Sequence, residues 1–161
     1  MNNKLKNNKQ EICNFTKQNI AIFVIMISFL IVSLLSFWPG IFTIDGNVQW
    51  KQVCDNYIIN DHPFFSTFVW WLLSRIWFSP TVLLGFQIVL LSAIWTYICC
   101  SLRDKKNFRK RIIYTILICF IPIIFFYSIT AWKDIIYSYM LLFIAIMIYN
   151  GIKNEFNYSY W

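Results

Sequence analysis

Apolar residues gather in four long runs, at about 20–38, 81–101, 112–130 and 135–149, and none of these runs carries a charged side chain. Each predicts a helix. Nineteen residues at ~1.5 Å apiece reach about 28 Å, enough to cross the hydrocarbon core of a bilayer. Trp38 marks an interface at the end of the first run, where Pro39 ends the helix. Pro122 predicts a kink within the third run, compensated by packing. The segment 64–79, FFSTFVWWLLSRIWFS, differs: it is short, contains Arg75 and holds three tryptophans. Ser66, Trp70 and Ser74 follow one another at i+4 with Thr67 beside them, a narrow polar stripe.

Composition sharpens this pattern. Of 161 residues 59% are hydrophobic and only 13% charged, and the mean hydropathy is +0.57. Soluble domains carry about 25% charged residues. The fold class expected is therefore all-α, a polytopic integral membrane protein. The five cysteines form no framework, since Cys54 alone lies in the polar stretch 39–63. No cleavable signal pattern precedes the first run, which is longer than a signal core.

Charge then sets the topology. The loop 102–111 holds Arg103, Lys105, Lys106, Arg109, Lys110 and Arg111 against the single acid Asp104. Short loops with such an excess stay in the cytoplasm. That places 64–79 on the membrane as an interfacial juxtamembrane helix instead of through it. Four transmembrane helices follow, with a basic cytoplasmic N-terminus at 1–19, an outer loop at 39–63 and both termini cytoplasmic at the cell membrane. Inner segments then carry eleven basic and three acidic residues, outer ones three and four. The net charge of +7 is thus explained by orientation, with membrane lipids as partners and no nucleic acid.

The polar stretch 39–63 is where chemistry is expected. It gathers Asp45, Asp55, Asp61, Lys51 and the sole histidine, His62. Asp45 sits in Ile44-Asp45-Gly46, where glycine permits a tight turn and close approach of a substrate. Asp55 reads as a solvated acid. Asp61 or His62 can cap the helix that Pro63 opens, and a helix N-terminus beside His62 also suits a phosphate. Lys133 next to Asp134 offers a second phosphate contact or an ion pair. Trp132 suits a sugar face or an interface anchor. Arg75 either snorkels to headgroups or holds a lipid phosphate.

Pro39-Gly40, Asp45 and Gln49 in the first outer loop, Asp61-His62-Pro63 opening a juxtamembrane helix, a basic inner turn, and Trp132-Lys133-Asp134 at the next outer turn together form a pattern. It resembles the N-terminal module of GT-C type membrane glycosyltransferases, such as protein mannosyltransferases and lipid A aminoarabinose transferases. The resemblance implies transfer of a sugar from a polyprenyl-phosphate carrier to an acceptor on the extracytoplasmic face. It makes Asp45 and Asp134 catalytic, with a divalent cation, Mg²⁺ or Mn²⁺, between them. It puts His62 and Pro63 near the carrier phosphate; Asp61, Lys133 and Arg75, read from the residues themselves, complete the expected phosphate- and substrate-binding set. Relatives have more spans and a soluble C-terminal part, so a second membrane subunit or a missing C-terminal half is an expected partner. The competing class is a non-catalytic membrane assembly partner or a small transporter subunit. Acids clustered at one surface, with none in the spans, speak against ion transport.

Overall fold

The computed structural model describes residues 2–59, 64–101 and 107–158, with side chains for 16–59, 64–101 and 107–152. It is 80% helix, in seven helices joined by one pair of very short strands among the described residues. Helix α1 covers Asn2–Ser36, β1 Ile41–Phe42, α2 Ile44–Cys54, α3 Phe64–Ser74 and α4 Thr81–Ser101. After these come α5 Phe108–Cys119, α6 Pro122–Ser128, β2 Thr130–Ala131 and α7 Lys133–Tyr158. Three helices are long and apolar enough to cross a membrane, at Thr16–Ser36, Thr81–Ser101 and Lys133–Ile152. A fourth crossing exists if α5 and α6 count as one span, bent by 69°. The bend falls where Pro122 begins α6, since a ring nitrogen without a hydrogen cannot continue the ladder of α5.

Three boundaries differ from the sequence reading. The stretch 39–63 is not simply a loop, because α2 occupies eleven of its residues. The basic loop 102–111 is shortened by α5, which takes Arg109, Lys110 and Arg111 into its first turns and leaves Arg111 only 1% exposed. Third, the all-α expectation lacks the parallel pairing of Ile41 with Thr130 and Phe42 with Ala131. That pairing closes one end of the bundle by joining the first third of the chain to the last.

Gly40 makes the junction possible. Its φ of +111° suits only glycine, and a β-carbon there would collide with Leu84 Cδ1. The turn lets the Ile41 amide donate to the Ile129 carbonyl at 2.9 Å. Gly46 does not serve the turn expected of it. It lies inside α2, where a β-carbon would be 2.5 Å from the Ala131 carbonyl oxygen, so the missing side chain lets α2 rest against β2.

The helix α3 enters and leaves at the same end of the bundle. Phe65 and Ser66 lie beside Lys133, while Thr81, opening α4, donates its hydroxyl to the Pro39 carbonyl. Its polarity is inverted relative to a helix in water. Ser66, Thr67, Trp70 and Ser74 are buried, whereas Phe64, Phe65, Phe68 and Leu72 are exposed. The polar stripe legible in the sequence is the inward face, turned toward α2, α4 and α7.

Candidate functional site

Two helix starts meet at the β1–β2 end. Thr43 caps α2: its hydroxyl oxygen accepts from the Gly46 amide at 3.0 Å and donates to the Ala131 carbonyl at 3.1 Å. These two hydrogen bonds fix the first turn of α2, and with it Asp45, against the strand leading into α7. Lys133 is the first residue of α7, and its ammonium meets Asp45 Oδ2 at 3.1 Å. Asp134 follows in the same turn. Carboxylates in the first turn of a helix are favoured by its dipole, which accounts for part of the placement of Asp45 and Asp134. Lys133 is disfavoured there on the same ground, and Asp45 offsets it. The lysine side chain is 25% exposed and the carboxylate 38%, so both are in contact with solvent.

Beside the pair lies a cavity of ≈ 240 Å³ lined by Phe65, Ser66, Lys133, Asp134, Ile136 and Tyr137. One wall is apolar and aromatic, the other charged. Behind Ser66, the buried Gln49 amide donates to its hydroxyl oxygen at 3.0 Å. Further buried polar atoms lie on the helices around it. The Gln52 oxygen, the Thr67 hydroxyl, the Trp70 indole nitrogen and both ends of the Gln87 amide have no hydrogen-bond partner among the described residues. Sequence reasoning passed over Gln52 and Gln87. The stripe of Ser66, Thr67 and Trp70 was the available signal.

The structure thus brings Asp45, Lys133 and Asp134 together, with Lys133 paired to Asp45 and not to its neighbour. Asp61 and His62 lie outside the described residues. Arg75 stands apart, beyond the opposite end of α3 from Ser66, about 14 Å along that helix. Its guanidinium stacks on Trp71 at 4.6 Å and donates to Asn56 Oδ1 at 2.7 Å, an oxygen that also accepts from the Trp71 indole. Among the described residues no group of three His, Cys, Asp or Glu side chains comes together for a metal. A divalent ion at Asp45 would also compete with an ammonium already at one carboxylate oxygen. Partial desolvation and then the Asp55 carboxylate push the Cys54 thiol above its ordinary value, which leaves less of it as thiolate.

Comparison with known proteins finds no matching family model, no similar curated protein and no similar solved structure.

Proposed function

We propose that the chain is a membrane glycosyl-transfer module that accepts a sugar from a polyprenyl-phosphate carrier at the Asp45–Lys133 end. The observation behind this reading is the 3.1 Å ion pair, set on two helix N-termini beside a half-apolar cavity. A carrier phosphate needs a cation, and a neighbouring acceptor hydroxyl needs a base. The pair supplies both in exchange. An arriving phosphate draws the Lys133 ammonium away from Asp45, and the freed carboxylate turns to the acceptor. The acceptor oxygen bonds to the anomeric carbon while its proton passes to Asp45. The bond from that carbon to the phosphate oxygen breaks, its electrons leave with the phosphate, and Lys133 holds the added charge. Attack opposite the leaving group inverts the anomeric configuration. Asp134, on the cavity rim, orients the acceptor.

The test is binding and turnover of a polyprenyl-phosphate sugar by the chain in lipid nanodiscs. Lys133→Ala should weaken binding at least tenfold. Asp45→Asn should keep binding and lower transfer by ~10²–10⁴-fold. A folded wild type that binds no carrier overturns the reading.

One observation favours a non-catalytic assembly partner instead. Only 17% of the apolar stretch of α7 is buried, against 44% for α4. A stoichiometric membrane subunit co-purifying through α7, with no carrier binding, would decide for that role.

A further inference from the structure

We propose that the groove between α4 and α7 takes the hydrocarbon chain of the polyprenyl-phosphate carrier; this extends the reading of the Asp45–Lys133 end and rests on it. Helices α4 and α7 run in the same direction. Thr81, opening α4, bonds the Pro39 carbonyl just before β1, and Lys133, opening α7, follows β2, the partner of β1. Between the two helices lies a groove of ≈ 430 Å³, lined by Leu90, Ala93 and Tyr97 of α4 and by Met140, Phe143 and Ile144 of α7. Its lining carries no charge, and its volume falls within the range of about 300–1,000 Å³ usual for ligand pockets.

Position along α7 relates the groove to the charged cavity. Lys133, Ile136 and Tyr137 line the cavity, while Met140, Phe143 and Ile144 line the groove. Lys133, Ile136 or Tyr137, Met140, and Phe143 or Ile144 succeed one another at steps of three or four, so both openings lie on one face of α7. Met140 comes one turn after Ile136 and Tyr137, and about 10 Å after Lys133 along the axis. The facing wall passes from Phe65 and Ser66 of α3 to α4, and those two helices pack together. At the far end the Tyr97 and Phe143 rings meet edge-on with centroids 5.7 Å apart. There the Asn150 amide of α7 donates to the Tyr97 hydroxyl at 3.2 Å and to Ser101 Oγ at 2.9 Å, tying α7 to α4 beyond the groove. One face of α7 thus offers a cation, then an uncharged channel, then a tie. An amphiphile with its phosphate at the end of a single chain matches that order, and a polyprenyl phosphate is such a molecule. In a bilayer the chain gains by packing against the groove and not by leaving water.

The experiment measures binding of octaprenyl phosphate and of dimethylallyl phosphate, which has a single isoprene unit, to the full chain in lipid nanodiscs. Ala93→Phe fills the groove from an exposed position. It should weaken octaprenyl phosphate about tenfold, the worth of roughly ten lost carbon–carbon contacts. Ile144→Trp, filling the groove from the α7 side, should do the same. Dimethylallyl phosphate, too short to leave the cavity, should bind both variants as it binds the wild type. Val89→Phe, exposed on α4 outside the groove, should change neither probe. Lys133→Ala should weaken both. Octaprenyl phosphate weakened by Lys133→Ala but by neither groove variant overturns the groove assignment and leaves the carrier reading standing. A wild type that binds neither phosphate overturns the carrier reading, and the groove assignment with it. A photoreactive phosphatidylcholine that labels Phe143 and is not displaced by octaprenyl phosphate makes the occupant a bulk acyl chain, which also overturns the proposal.

Discussion

At one end of the bundle a lysine and a carboxylate meet in partial contact with solvent; at the other an arginine is sealed against the side-chain amides of α1. Lys133 and Asp45 keep 25% and 38% of their side-chain surface, while Arg111 keeps 1%. The first arrangement is cheap to open, since a half-exposed ion pair is worth only ~0.2–1 kcal/mol. The second is expensive, because each acceptor deprived of a charged donor costs about 1–3 kcal/mol where it remains buried. A charge meant to change partners belongs in the first setting, and one that fixes a helix in the second.

The comparison can be broken most severely at its hinge. Gly46→Val should drive α2 off β2, destabilise the chain by about 3 kcal/mol in detergent unfolding and abolish the Asp45–Lys133 contact. Gly85→Ala is the matched control: a β-carbon there meets nothing within 4 Å, and the change should stay within about 0.5 kcal/mol. Arg111→Leu comes next. It removes the donors to Asn19 and Gln18, and thermal unfolding should show a loss of about 2 kcal/mol. At the open end, Asp45→Asn should cost no more than about 0.5 kcal/mol by the same measurement. An equal cost for Asp45→Asn and Arg111→Leu would erase the distinction. The smallest effect concerns Cys54, which leaves stability untouched. Its raised thiol pKa means less thiolate at neutral pH, so maleimide labelling should lag behind that of a free thiol and catch up only as pH rises past the ordinary thiol range.

The four apolar runs were legible because lipid-compatible helices need long uncharged stretches, and length alone betrays them. The inward stripe of α3 was legible too, since Ser66, Trp70 and Ser74 repeat at helical spacing. Helix α2 left no such trace. Its buried face is Gly46, Gln49, Gln52 and Val53, mostly without the apolar side chains that periodicity detects. The β1–β2 pair is two residues long, below any pattern. Asp45, Lys133 and Asp134 could be picked out singly as acids and a base near a surface. Their meeting could not, because Thr43 and Ala131, the residues that lock the two segments, stand 88 positions apart and nothing local encodes the contact. Burial of Arg111 was hidden for a similar reason: a basic run reads as solvated until α1 is known to lie across it.

The strand junction also sets an order of events during synthesis. Ile41 and Phe42 emerge early, yet their partners Thr130 and Ala131 belong to the last third of the chain. At usual elongation speeds that interval is on the order of ten seconds. Throughout it the β1 backbone lacks its native neighbour, Thr43 has no carbonyl to bond, and Asp45 has no lysine. The first helices must therefore wait, held by their own packing, and the ion pair is among the last contacts a nascent molecule can make. Chains interrupted just before Lys133 would carry most of the apolar bundle and none of the assembled Asp45–Lys133 pair.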